Sequence, residues 1–142
     1  MISDNEVMVR LFLSMLLGGL IGLERQAHRR SAGLRTHIMV SLGSCLIMLT
    51  SIYVFDIYMT KANVDPGRIA AGVITGIGFL GAGAILRERE GVKGLTTAAS
   101  LWVVAAIGLA TGCGFLVASL FTTALSLIVL LILRYLEQKI ID

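Results

Sequence analysis

Five long apolar stretches alternate with short polar ones along the chain. They run from Val7 to Leu23, His37 to about Tyr58, Ile69 to Leu86, Leu95 to about Ala110, and Phe115 to Leu133. Each holds roughly 16 to 22 residues, enough at about 1.5 Å per residue to cross about 30 Å of hydrocarbon, the fourth only just. The stretches are continuous and show no apolar/polar alternation, which disfavours strands. The pattern predicts an all-α, polytopic transmembrane helix bundle of about five spans, with residues 1–142 as one domain.

Composition agrees. Apolar residues make up 56% of the 142 and charged residues only 15%, against about 25% in ordinary soluble domains. That leaves too few polar groups to cover a soluble surface, and too much apolar mass for disorder. The first stretch is not expected to be a cleaved leader. Asp4 and Glu6 stand where a basic cluster would be, and Glu24-Arg25 follow the apolar run at once.

Loop charges predict the orientation. Arg25, Arg29, Arg30 and Arg35 follow the first stretch; Arg87, Arg89 and Lys93 follow the third; Arg134 and Lys139 follow the fifth. Only Arg10, Lys61 and Arg68 lie toward the other side. By the positive-inside rule the N-terminus is outside and the C-terminus cytoplasmic, which requires an odd number of spans. The net charge of +3 is therefore assigned to retained basic loops, with no nucleic-acid partner.

Other signals are local. Asp65 is placed to cap a helix beginning at Pro66. A weak repeat relates Leu17-Gly18-Gly19 and Gly33-Leu34-Arg35-Thr36 to Leu80-Gly81-Ala82 and Gly94-Leu95-Thr96-Thr97, at offsets of 63 and 61 residues. It predicts two parallel hairpins, in which Thr36 and Thr97 could cap the second helices.

Glycines crowd the third stretch. Gly72, Gly76 and Gly83 fall within roughly 40° of one another, with Gly78 and Gly81 nearly opposite. Two small-residue faces predict a helix sandwiched between neighbours, so that Gly78→Leu or Gly81→Leu would disrupt packing. Gly18-x-x-x-Gly22 and Gly108-x-x-x-Gly112 predict further close contacts. The leucine-rich fifth stretch is expected at the lipid-facing periphery. Trp102, mid-stretch, is expected to be buried or to line a cavity. Arg10 either snorkels or pairs with Asp56.

The polar ends of the hairpins begin with Glu24-Arg25 and with Arg87-Glu88-Arg89-Glu90. They form either a solvated face on anionic lipid or a partner- or ion-binding surface. Neither His28 nor His37 is placed beside a second ligand, and neither is assigned chemistry. Cys45 is expected deep in the membrane and Cys113 near the outer surface, too far apart to bridge. No nucleophile–base or metal set is present, so an enzyme is not expected.

These residues carry a family resemblance. Gly19-Leu20-Ile21-Gly22-Leu23-Glu24-Arg25-Gln26 and Ala32-Gly33-Leu34-Arg35-Thr36 resemble the opening of the MgtC/SapB family. Asp65-Pro66-Gly67-Arg68-Ile69-Ala70-Ala71 and Gly76-Ile77-Gly78-Phe79-Leu80-Gly81-Ala82-Gly83 resemble its middle, and Gly94-Leu95-Thr96-Thr97-Ala98-Ala99-Ser100-Leu101-Trp102 its fourth-helix signature. The resemblance implies a multi-pass bacterial inner-membrane protein. The family is historically labelled as magnesium transport proteins and is associated with magnesium limitation and with virulence inside macrophages. A regulatory action on the F-type ATP synthase is attributed to its founding member.

Thr96 stands where that member has asparagine. Longer members add a cytoplasmic C-terminal domain; this sequence ends nine residues after Leu133 and is expected to be a short form. Carried over as motif candidates are Glu24, Arg25, Gly33, Arg35, Thr36, Asp65, Arg68, Gly76, Gly78, Gly81, Gly83, Arg87, Gly94, Thr96, Thr97 and Trp102. Two functions are expected: regulation through another membrane complex such as the F-type ATP synthase, or transport of Mg²⁺ or another ion. Magnesium needs oxygen ligands, and the last three stretches carry no acidic residue within the membrane. Homo-oligomerisation is a further expectation.

Overall fold

The computed structural model describes residues 2–60, 63–88, 91–133, 135, 136 and 139. Lys61, Arg89, Glu90 and Arg134, used above in the loop charges, lie outside the described residues. The chain forms helices α1 (Asp4–Ala27), α2 (Leu34–Tyr58), α3 (Pro66–Gly83), α4 (Leu95–Cys113) and α5 (Leu116–Ile128). A π-helical turn, Val129–Leu133, continues α5, and a hairpin of β1 (Leu86–Glu88) and β2 (Gly91–Lys93) joins α3 to α4.

Helix ends follow local chemistry. Ser3 caps α1 by accepting from the Glu6 N–H, and Asp4 and Glu6 complement the positive end of that helix. Asp65 caps α3 as expected, its Oδ1 2.8 Å from the Gly67 nitrogen, with Pro66 in the first turn. Gly94 and Gly114 bracket α4 at φ of +92° and +85°, left-handed conformations that favour glycine. The caps of α2 and α4 are Gly33 and Gly94 themselves, so Thr36 and Thr97 lie inside helices and cap neither.

Two boundaries differ from expectation for one reason. Hydropathy stops at the first charge, whereas a helix stops when its backbone hydrogen bonds stop. So α1 runs on through Glu24 and Arg25, and those residues are helical rather than loop. Conversely α3 ends at Gly83, and apolar Leu86 belongs to β1.

Among the described residues, α1, α2, α4 and the Leu116–Leu133 stretch are long and apolar enough to cross a membrane. The fifth helix, α3, falls short because Pro66, Gly67 and Arg68 occupy its first turn. The architecture is an all-α membrane helix bundle.

Its centre is α2, packed against α1, α3 and α4. A methyl group placed on Gly18 would lie 2.6 Å from the Ser41 Cβ, and one on Gly22 2.8 Å from the Leu34 Cα. On the same face of α2, one on Gly108 would strike the Ser41 carbonyl and one on Gly112 would lie 2.6 Å from the Cys45 carbonyl. Glycine pairs on α1 and α4 thus seat both helices against one face of α2, the close approach expected where dispersion replaces the hydrophobic drive. Leu17, Ile21, Val104 and Ile107 fill one part of the core; Ala32, Ile77, Leu101 and Ala105 fill another.

The repeat is visible in contacts. Gly18 meets His37, four residues after Gly33, and Gly81 meets Ala98, four residues after Gly94. Equivalent glycines of the two hairpins therefore touch equivalent positions.

The expected sandwich around α3 is absent from the chain's own fold. Gly81 is buried against Ala98, but nothing lies within 4 Å of a methyl placed on Gly72, Gly76, Gly78 or Gly83. Among the described residues its main neighbours are α2 and α4. Trp102 likewise corrects the expectation: it is 49% exposed. Leu101, Val104, Ala105 and Gly108 form the inward stripe of α4, and Trp102 points away from it.

Arg10 is partnered within the fold. Its guanidinium donates to the Gly112 carbonyl at 2.7 Å and pairs with Glu6, so a cation sits at the negative end of α4. Two expectations hold: α5 is peripheral, and Cys45 is buried and Cys113 exposed, both free thiols.

Candidate functional site

Polar side chains gather at the end of the bundle where α1 finishes and where α2 and α4 begin. Glu24 and Arg25 sit in the last turns of α1, 8% and 2% exposed. Arg25 Nε donates to Glu24 Oε2, an ion pair withdrawn from water. His28 follows, its Nδ1 2.8 Å from both Glu24 Oε1 and the Glu24 carbonyl. One proton on Nδ1 cannot serve both, and Oε1 has no well-formed hydrogen bond.

His37, on the first turns of α2, is fully buried. Gly22 makes room for it on α1, since a methyl there would lie 2.9 Å from the His37 Cβ. Its Nδ1 lies 2.8 Å from the Gly33 carbonyl. Its Nε2 lies 3.0 Å from Ser100 Oγ on α4, and that hydroxyl lies 2.8 Å from the Thr97 carbonyl. Ser31 Oγ reaches Thr97 Oγ1 at 3.4 Å, tying the α1–α2 loop to α4. Three segments of sequence are thereby joined by polar contacts with few apolar alternatives.

Below His37 the seam continues as small polar residues. Ser41, Ser44, Cys45 and Ser51 lie buried on the same face of α2. Ser41 Oγ is buried without a hydrogen-bond partner. Ser14 and Thr111, on the facing helices, bond to their own helix carbonyls at 2.8 Å.

Of the motif candidates, Glu24, Arg25, Gly33 and Thr97 meet in this cluster, and Gly94 sets the start of the helix that completes it. The others do not join it. Thr96 is exposed beside a cavity of about 310 Å³ between α4 and α5, which Ser100 also lines. Thr36, Gly72 and Gly76 border an apolar groove between α2 and α3. Arg35, Arg68, Arg87 and Asp65 are exposed at helix ends and in β1. Gly83 borders a cleft with Ala32 and Leu101, and Gly78 faces outward on α3, as Trp102 does on α4.

The sequence reading missed His37. The signal was present: His37, Ser41 and Cys45 recur every four residues on one face of an otherwise apolar stretch, which marks a seam between helices.

Magnesium takes oxygen ligands in near-octahedral geometry, usually including one or two carboxylates. Among the described residues no three His, Cys, Asp or Glu side chains converge. The buried carboxylate, Glu24, already spends an oxygen on Arg25. This donor set does not fit a resident magnesium ion.

Comparison with known proteins adds an independent finding. The profile of the MgtC family matches residues 11–139. The protein YhiD of Escherichia coli K12 is 41% identical over 139 residues, 96% of this chain and 65% of YhiD. Protein MgtC of Salmonella typhimurium LT2 is 46% identical over 132 residues, 93% of this chain and 54% of MgtC. An uncharacterized protein of Haemophilus influenzae is 38% identical, over 92% of this chain and 58% of its own length. The chain thus spans between about half and two thirds of these relatives. No solved structure gives a significant match.

Proposed function

The chain belongs to the MgtC family, and from that premise we propose that it is a multi-pass inner-membrane regulator that works by binding another membrane protein. YhiD is provisionally named a magnesium transporter, and that name supports a setting in magnesium limitation. The reading is non-enzymatic. In this reading the basic loops keep the Glu24 end of the bundle on the cytoplasmic side, by the positive-inside rule.

The observation that carries this reading is the unequal use of glycine. On α1 and α4, Gly18, Gly22, Gly108 and Gly112 are spent on closing the bundle around α2. On α3, a methyl on Gly72, Gly76, Gly78 or Gly83 would meet none of the described residues within 4 Å. In a membrane the face of Gly72, Gly76 and Gly83, or that of Gly78 on the other side of the helix, lets another helix approach closely. An F-type ATP synthase, implied by the family resemblance, is one candidate complex, and a second copy of this chain is another.

The alternative reading, magnesium as transported cargo, draws on the name of YhiD. The clamped α1–α2–α4 seam favours contact over conduction, because its serines bond within their own helices or lie between glycines.

Substituting Gly76→Ala and Gly78→Ala together is expected to leave the thermal midpoint of the purified protein within a few degrees of wild type, as a methyl at either position meets nothing within 4 Å. Membrane proteins co-purifying with the affinity-tagged chain should be lost or reduced at least fivefold. Undiminished co-purification would remove α3 from the interface.

A further inference from the structure

We propose that His37 is a reversible proton-binding site inside the bundle, with the Ser100 hydroxyl as the rotor that holds both of its protonation states. The geometry assigns each proton in turn. The Gly33 carbonyl, 2.8 Å from Nδ1, can only accept, so Nδ1 carries a hydrogen in either state. In the neutral ring Nε2 is then bare, and Ser100, 3.0 Å away, donates its O–H to it. When Nε2 takes a proton from water, Ser100 must accept instead. Its own hydrogen then turns to the Thr97 carbonyl, 2.8 Å away. One proton enters, one hydroxyl rotates, and Nε2 keeps a partner in either state, while the Thr97 carbonyl receives the Ser100 hydrogen only when the ring is protonated.

A buried polar group that loses its partner costs about 1–3 kcal/mol, so this alternative acceptor is what makes the change reversible in a packed interior. The charges that act on His37 come from α1: the Glu24 carboxylate and the Arg25 guanidinium, of opposite sign and paired with each other. From α4 it meets only hydroxyl and carbonyl oxygen, and α2 adds the Gly33 carbonyl at its cap. Ser100, itself buried, lines the cavity between α4 and α5 as well as bonding His37. The rotor therefore reports the charge of His37 to that cavity wall.

The test uses the full chain in lipid nanodiscs with isotope-labelled histidine and nitrogen NMR. His28→Gln leaves His37 as the sole histidine signal. As the pH is lowered the Nε2 resonance should move reversibly from unprotonated to protonated while Nδ1 stays protonated. Ser100→Ala should weaken proton affinity about tenfold or more, because the imidazolium N–H loses its acceptor, and Ser100→Thr should restore it. A ring that keeps one tautomer and never titrates in the folded bundle would overturn the proposal on the His28→Gln background alone. So would titration at Nδ1, or an unchanged midpoint in Ser100→Ala.

Discussion

Arg25→Ala is expected to cost about 3–5 kcal/mol of stability, enough to consume most of the margin of a small bundle. The guanidinium is 2% exposed and holds Glu24, itself 8% exposed, against α1's last turns. Removing it strands a buried carboxylate whose second oxygen already has no well-formed hydrogen bond. Replacing both members, Glu24→Leu with Arg25→Met, should recover most of the loss, since the penalty lies in the unpaired charge rather than in the absent pair. Thermal midpoints in detergent micelles read this out. An alanine variant as stable as the parent would mean that water reaches the pair.

The second large effect is at Gly108. An added methyl would strike the Ser41 carbonyl and lie 2.9 Å from the Ser44 Cβ, and backbone cannot swing aside as a side-chain tip can. Gly108→Ala should therefore force α2 and α4 apart and cost about 1–3 kcal/mol or more. Gly78→Ala, with nothing within 4 Å, should cost nothing through contacts and gain slightly in helix propensity. The same chemical change in two glycine-rich helices thus separates clamp from open face. Equal losses at both sites, read as thermal midpoints, would show that α3 is enclosed after all.

The contrast between those glycines also marks what the sequence could reveal. Apolar runs located all five helices, because in a membrane bundle hydropathy reports on lipid as much as on core. Asp65-Pro66 announced a helix start through chemistry that stays within one turn. Which glycine face is covered is a tertiary fact, and helical spacing alone made Gly72, Gly76 and Gly78 look as enclosed as Gly108. Trp102 was misplaced for the same reason: mid-segment depth says nothing about which way a helix is turned.

The candidate site was half legible. Glu24, Arg25, Gly33 and Thr97 came from motif resemblance, but as loop residues and caps. Their burial depends on α1 continuing past Leu23, which hydropathy does not see. His37 and Ser100 were missed because their meeting joins residues 63 apart across two helices. A polar residue repeated every four positions along α2 was the available clue.

A bundle closed by glycines and serving as a binding surface should not conduct. The purified full chain, reconstituted into liposomes loaded with a magnesium-sensitive dye, puts this to the most direct test. Regulation by contact predicts Mg²⁺ entry no faster than into protein-free liposomes. Entry above that background, abolished by Gly108→Leu in the seam, would contradict it and make magnesium the cargo.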